Sequence, residues 1–219
     1  MTSPPRHREI MSGYYSWQSR IYDATRWTFL FGREAILDQL QLKAGDAVVE
    51  VGCGTGHNLQ GILKRVGPGG EVFAVDCAAP MLARCTERIQ KERWNNVHLV
   101  DREYGGKPVT GGTADVVLMS YSLSMIPAWE SVIECAWQEL RVGGRIGVVD
   151  FCVEGQSAVS RGFERWMTRN HVSIGRPYVR KLSSMFRPVH YVTRKAFGGL
   201  WTYYSFVGER TDTVILDSA

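Results

Sequence analysis

The chain has 219 residues, 44% apolar and 22% charged, with a net charge of +4. That is long enough for one substantial domain with its own core. No apolar run reaches the roughly 20 residues of a membrane-spanning helix, and Met1–Ile10 is polar and proline-rich, without the apolar stretch of a signal peptide, so a cytoplasmic location is expected. Cys53, Cys77, Cys85, Cys135 and Cys152 form an odd set with no Cys-x-x-Cys spacing. They read as reduced, mostly buried thiols rather than a disulfide framework or a metal site, and no metal is expected.

In chain order, Met1–Ser12 reads as a mobile tail. The segment Tyr14–Arg33 is unusually aromatic, with Tyr14, Tyr15, Trp17, Tyr22, Trp27, Phe29 and Phe31. Helical spacing relates Tyr15 to Tyr22 and Trp27 to Phe31, so these rings either pack one amphipathic helix on the core or form a lid whose aromatics meet a lipid interface. A helix is expected over Glu34–Leu42, and Lys43–Asp46 turns into the first strand. Ala47–Val51 is apolar and mostly β-branched apart from Glu50, as a strand covered on both faces should be. It runs into Gly52, Gly54 and Gly56, which permit positive φ and close approach of a ligand to the backbone. A helix from about Asn58 to Val66 would point its free N–H groups at that ligand. The spacing Gly-x-Gly-x-Gly is neither the dinucleotide pattern nor a phosphate loop with its Lys-Ser/Thr.

Gly67–Gly70 ends that helix, and Glu71–Asp76 is the second strand. Asp76, about 20 residues beyond the glycine turn, stands where an acid takes ribose hydroxyls. It also stands where an acid can cap the next helix, Ala79–Lys91, though the paired glycine motif favours ribose. Met81 and Leu82 suit one face of an adenine or the core. Asn95–Asp101 is the third strand, with Asp101 and Arg102 at its end, where a polar side chain reads an adenine amino group. Ala114–Ser120 is the fourth strand, and it opens into Tyr121–Pro127. Ligands bind at the carboxyl ends of strands in open parallel sheets, which puts Ser120, Tyr121 and Ser122 at the site. Tyr121 also suits a packed aromatic with its hydroxyl satisfied locally. Trp129–Leu140 reads as a helix, Arg141–Arg145 as its end and a turn, and Ile146–Asp150 as the fifth strand. Alternating strands and helices imply a right-handed, doubly wound parallel sheet.

Ser157–Met167 and Gly175–Phe186 read as basic helices, and Val189–Ala196 and Leu200–Val207 as a hairpin about Gly198-Gly199. Between Arg161 and Lys195, nine basic residues face only Glu164. That balance fits an anionic surface or substrate, or simply a solvated face.

The run Glu50-Val-Gly-Cys-Gly-Thr-Gly56, with Asp76, the loop after Ser120, Arg141–Arg145 and the closing hairpin, resembles the class I S-adenosylmethionine (SAM) methyltransferases over about Glu34–Val207. This implies an α/β Rossmann-like fold with a C-terminal antiparallel hairpin and an N-terminal helical lid. The whole chain, 1–219, is then a single domain: an N-terminal tail and lid (1–33), a SAM-binding core (34–150), and a basic substrate- and membrane-facing part with the hairpin (151–219). Ile21–Arg33 and Gly198–Gly208 resemble the two ends of the bacterial betaine-lipid N-methyltransferases, which convert diacylglyceryl-homoserine to its N,N,N-trimethyl form. The bacterial phosphatidylethanolamine N-methyltransferases share the Tyr-Asp start. Their acceptor, a small-molecule amine, and a non-catalytic SAM-binding membrane module stand as alternatives.

The resemblance implies SAM contacts from Tyr22, Glu50, Gly52, Gly54, Asp76, Met81, Asp101, Ser120 and Tyr121, with Cys53, Gly56, Asn58 and Arg102 in the same cleft. S-adenosylhomocysteine is the product. Tyr15, Tyr22 and Tyr121 are candidates to stabilise the methylated nitrogen by cation–π attraction, and Asp150 to attract the ammonium or relay its proton. Arg176, Arg180 and Lys181, on one segment with Tyr178, are candidates for the homoserine carboxylate. The implied partners are an anionic membrane surface carrying the lipid and an enzyme that supplies the homoserine lipid. Location is then peripheral on the inner face of the cell membrane. No Asn/Asp-Pro-Pro-Tyr/Phe motif follows the fourth strand, so no nucleic-acid partner is expected.

Overall fold

The structure, a computed structural model, describes residues 31–152, 172–196 and 201–214, together with 162, 165 and 167–169. The expected tail, the segment from Tyr14 to Leu30, most of the helix at Ser157–Met167 and the Gly198-Gly199 turn lie outside the described residues.

The described elements are α1 (Arg33–Leu40), β1 (Ala47–Val51), α2 (Leu59–Val66), β2 (Glu71–Asp76), α3 (Ala79–Glu92), β3 (Val97–Asp101), β4 (Ala114–Ser120), a short 3-10 turn (Leu123–Met125), α4 (Trp129–Glu139), β5 (Leu140–Cys152), α5 (Tyr178–Met185), β6 (Arg187–Ala196) and β7 (Trp201–Glu209). They build one sheet in the order β3-β2-β1-β4-β5-β7-β6. The pairs β3–β2, β2–β1, β1–β4 and β4–β5 are parallel, and β7 runs antiparallel to both β5 and β6. The strand order reverses between β1 and β4, where the carboxyl ends diverge and leave a crevice.

Successive residues of the central strands divide between two cores, as period-two alternation requires. Val48, Leu118 and Val149 pack with Ile36, Leu37 and Leu40 of α1, Leu59 and Ile62 of α2 and Met81 of α3. Val49, Val117 and Val148 pack with Val132, Ile133 and Ala136 of α4, Leu182 of α5 and Tyr204 and Phe206 of β7. Among the described residues no helix is long and apolar enough to cross a membrane.

Two elements depart from expectation. Arg141–Arg145 is not a free turn, because β5 already begins at Leu140. The Gly143 N–H donates to Arg210 O at 2.9 Å and the Arg210 N–H to Gly144 O at 2.8 Å, so the two glycines extend the ladder. The register against β4 jumps from Ala114–Leu140 to Val116–Arg145, which takes up the extra residues. Secondly, α5 starts at Tyr178 rather than Gly175, because Pro177 precedes its first turn.

Candidate active site

The crevice is built on the turn after β1. Gly52, Gly54 and Gly56 have φ of 72°, 56° and 77°. Each glycine answers a different need. A Cβ on Gly52 would lie 2.4 Å from the Ser122 Cβ, and one on Gly56 would lie 2.8 Å from the Cys85 Sγ. A Cβ on Gly54 would meet nothing within 4 Å, which leaves its backbone open to a ligand. The N–H groups of Gly52 and Cys53 both donate to Val75 O, at 2.8 and 3.0 Å, and fasten the turn to β2.

Asp76 sits at the end of β2 and does two things. Its Oδ2 accepts the Gly54 N–H at 2.8 Å, and its Oδ1 accepts the Ala78 N–H at 2.9 Å ahead of α3. Burial pushes its pKa up, against the pull of these backbone bonds. Glu50, in β1, is 1% exposed. Its Oε1 accepts the Asn58 Nδ2–H at 2.6 Å, while its Oε2 is buried with no hydrogen-bond partner among the described residues. Loss of hydration pushes the Glu50 pKa up to about 7; the Asn58 bond and the Arg33 charge oppose this, and the Asp76 charge adds to it. Asn58 therefore orients Glu50 from the mouth of α2. Cys53 is buried beside the Cys85 thiol, and that contact together with burial pushes its pKa up.

Met81 and Leu82 are packed in the core under α3. Asp101 is exposed at the end of β3, level with Asp76. The Arg102 guanidinium donates to Lys107 O and Pro108 O, at 2.8 and 3.0 Å, and shapes the loop beyond β3.

At the end of β4, Ser120 has a buried Oγ with no hydrogen-bond partner among the described residues. Tyr121 holds φ at 56°, a left-handed conformation that a bulky aromatic rarely adopts. Its N–H donates to Val149 O at 2.8 Å, and its hydroxyl donates to Phe31 O at 2.7 Å. The ring lies edge-on to Phe151 at 4.7 Å, and the Arg33 guanidinium lies 6.0 Å from its centroid. The Ser122 hydroxyl donates to Val51 O at 2.7 Å and joins the loops of β1 and β4.

Several expected substrate contacts are instead engaged with the protein. Asp150 is fully buried; Oδ2 accepts the Ser124 N–H at 2.9 Å, and Oδ1 accepts the Ser124 hydroxyl at 2.7 Å and the Phe151 N–H at 2.8 Å. Asp150 thus braces the loop after β4. Tyr178 is 2% exposed, lies edge-on to Trp129 and donates its hydroxyl to Ser173 O at 2.6 Å. Arg176 donates to Ile126 O at 2.8 Å, and Lys181 pairs with Glu134 of α4 at 2.7 Å. Arg180 is exposed on α5. Tyr15 and Tyr22 lie outside the described residues.

Arg33 is a further residue at the site, and Glu139 braces the opposite, amino-terminal end of the sheet. Arg33, at the start of α1, lies within electrostatic reach of Glu50 and beside Tyr121. Glu139, fully buried at the end of α4, accepts the N–H groups of Val109 and Thr110, at 2.5 and 2.6 Å, and the Thr110 hydroxyl at 2.7 Å. The signal for Glu139 was an acid on the buried stripe of α4, two turns beyond Val132 and one beyond Ala136.

Residues 48–144 match the family model described as a methyltransferase domain. A demethylmenaquinone methyltransferase of Lactobacillus johnsonii is 24% identical over 61% of this chain and 55% of its own length. A nocamycin O-methyltransferase of Saccharothrix syringae is 36% identical over 58% of this chain and 46% of its own. The chain spans about half the length of these curated relatives. Two solved structures share the fold. A geranyl diphosphate C-methyltransferase of Streptomyces coelicolor, solved with S-adenosyl-L-homocysteine, has a TM-score of 0.76 at 15% identity, over 96% of this chain and 100% of its own. A phosphoethanolamine N-methyltransferase of Haemonchus contortus has a TM-score of 0.78 at 13% identity, over 97% of this chain and 62% of its own. Residues 48–144 thus match a methyltransferase-domain model, and the seven-stranded sheet has the Rossmann-like fold of these solved methyltransferases.

Proposed function

We propose that the chain transfers methyl groups from SAM to the amine of diacylglyceryl-homoserine at a membrane surface, ending in the trimethylated betaine lipid. The observation that carries the donor half is the open backbone face at Gly54, whose N–H Asp76 holds, together with the buried Glu50 Oε2 that has no partner among the described residues. Glu50 and Asp76 would hold the donor's two ends, and Gly54 lets it close on the turn. The acceptor half rests on the likeness of Ile21–Arg33 and Gly198–Gly208 to the betaine-lipid enzymes. It is supported by the phosphoethanolamine N-methyltransferase, which hosts phosphomonomethylethanolamine on the same fold.

When bound, SAM supplies an electrophilic methyl group on a sulfonium. The acceptor nitrogen must be neutral to take it. An α-amino group with a pKa of about 8 loses its proton readily near neutrality, so the protein needs little base strength. Its task is positioning. Tyr121 and Phe151 make an aromatic wall at the ends of β4 and β5, and such ring faces attract the ammonium that forms. Asp150 fixes the loop that carries Tyr121 through its bonds to Ser124. Arg180 is the cation on α5 most open to a substrate carboxylate.

The test is a mass-spectrometric product assay with SAM and anionic liposomes carrying either diacylglyceryl-homoserine or phosphatidylethanolamine. Mono-, di- and trimethylated homoserine lipid with unchanged phosphatidylethanolamine is the expected result. Methylation of phosphatidylethanolamine alone would move the acceptor to that lipid, the second reading, which the shared Tyr-Asp start favours.

A further inference from the structure

We propose that the groove between α2 and α3 is a second ligand site, separate from the crevice at the strand ends, and that it takes a nucleoside polyphosphate. The groove has a volume of about 290 Å³, with Arg84, Arg88, Lys91 and Trp94 on its α3 wall and Gln60 opposite. That volume is close to the ~300 Å³ at which ordinary small-molecule sites begin. Thr55 closes its upper end, beside the glycine turn. From there the groove runs down the side of the sheet, away from the crevice. α3 starts at Ala79, just after the end of β2, and Lys91 lies about 18 Å further along its axis. Trp94 stands just before β3, at the amino ends of the strands.

The local fold fixes both walls. α3 buries Met81, Leu82 and Cys85. Arg84, Arg88 and Lys91, at i, i+4 and i+7, form the stripe beside that core face. A Cβ on Gly56 would lie 2.8 Å from the Cys85 Sγ, so the turn into α2 is pressed onto α3 with no slack. At the far end, Arg93 takes φ of 55°. Its N–H donates to Gln90 O at 3.3 Å, and the Trp94 N–H donates to Ile89 O at 3.1 Å. This reversal ends the helix and brings the half-buried Trp94 back against the core.

The chemistry of the walls selects the ligand. Arg84, Arg88 and Lys91 form no ion pair or side-chain hydrogen bond among the described residues. Glu87 stands four residues before Lys91 and Glu92 four after Arg88, the spacing at which helical ion pairs form. On the neighbouring α2, by contrast, Arg65 is paired with Glu34 and Asp38. Three unpaired cations on one wall, two of them half-buried guanidinium groups, suit phosphate oxygens, which an arginine fork meets with two parallel bonds. The indole of Trp94 offers a flat surface on which a base stacks. Glu87 and Glu92 are exposed at the rim, where they accept hydrogen bonds from sugar hydroxyls or amino groups and repel a ligand made of phosphate alone. Phosphates, hydroxyls and a flat ring in one molecule describe a nucleoside polyphosphate.

Calorimetric titration with ATP, tripolyphosphate and S-adenosylhomocysteine tests the site. Wild-type protein should bind one ATP per chain, as well when saturated with S-adenosylhomocysteine as without it, and less tightly as salt rises. ATP should bind about 5-fold or more tighter than tripolyphosphate, the share of a stacked base. Arg84→Gln/Arg88→Gln should weaken both about 10- to 100-fold, the range for lost charge-assisted contacts, and leave S-adenosylhomocysteine affinity and the melting temperature unchanged. Trp94→Leu should weaken ATP and spare tripolyphosphate, which also reports that the variant is folded. ATP that is displaced one for one by S-adenosylhomocysteine would lie in the crevice and overturn the proposal. So would unchanged ATP binding in the double arginine variant, or no ATP binding by the wild type. Tripolyphosphate that binds as tightly as ATP would overturn the nucleoside assignment. Wild-type protein that binds ATP but no S-adenosylhomocysteine would sink the donor reading and leave the groove to be decided by the arginine variant.

Discussion

Glu50 illustrates how one buried carboxylate links stability to ligand binding. Its pKa is raised from 4.5 to about 7, so the folded protein prefers it neutral. The sign follows directly. The favourable contribution is complete below the unfolded value of 4.5 and is lost as pH rises through about 7. Above that the ionised group costs the unliganded protein roughly 3 kcal/mol. Glu50→Gln keeps an oxygen for Asn58 and abolishes the charge. Thermal melts of the unliganded variant should therefore gain on wild type at pH 8 and show little difference at pH 5. The gain falls short of the full ~3 kcal/mol because an amide NH2 then occupies the spot without a partner. An equal shift at both pH values would mean that Glu50 does not titrate in this range. Glu50, the three glycines and Asp76 were legible in the sequence because each lies in a local pattern. The partners that define their roles were not. Asn58 reaches back to Glu50, and Asp150 grips Ser124, across 26 residues of chain that no spacing rule connects.

At the scale of the element, the glycine turn separates two requirements that a motif merges. Gly52→Ala sets a methyl group 2.4 Å from the Ser122 Cβ at a positive φ. The turn must then shift away from β4, so both thermal stability and S-adenosylhomocysteine affinity should fall. Gly54→Ala meets open space, and only its φ of 56° opposes it, a strain of about 1–2 kcal/mol. On the proposed path of the donor, the new methyl group nonetheless stands where the ligand would approach the backbone. That variant should melt within a few degrees of wild type and lose most of its affinity for S-adenosylhomocysteine in titration. Retained binding by Gly54→Ala would show that the ligand does not pass Gly54. The strand and helix cores were readable from apolar periodicity, and β2 and β4 have the expected bounds. Their ends were less so. The start of β5 depends on the pairing of Gly143 and Gly144 with Arg210, a contact made after the chain has passed through β7.

For the whole molecule, the sheet order explains how a charged edge meets a site at the strand ends. β6 is the last strand of the sheet and contains Arg187, Arg194 and Lys195 but no acid. Val189 and Tyr191 on it are 47% and 52% exposed. Pro188 and the register shift between Pro188 and His190 blunt this edge against pairing with another strand. Lys195 faces Thr202, and Thr202 faces Cys152; Arg194 faces Tyr203, and Tyr203 faces Phe151. Both cations therefore stand level with the carboxyl end of β5, at the rim on the proposed acceptor side. A lipid headgroup presented there would reach the crevice while its acyl chains stayed in the membrane. Each basic side chain near an anionic bilayer contributes about 1 kcal/mol, so reversing both in Arg194→Glu/Lys195→Glu should weaken co-sedimentation with anionic liposomes by at least about 30-fold. The wild-type attachment should fade as salt shortens the screening length to about 8 Å or less. Turnover of a water-soluble homoserine headgroup analogue, which needs no bilayer, should stay the same in the double variant. Loss of that turnover together with liposome binding would place Arg194 and Lys195 in substrate recognition rather than at the membrane. Unchanged co-sedimentation would move the docking face away from β6 altogether.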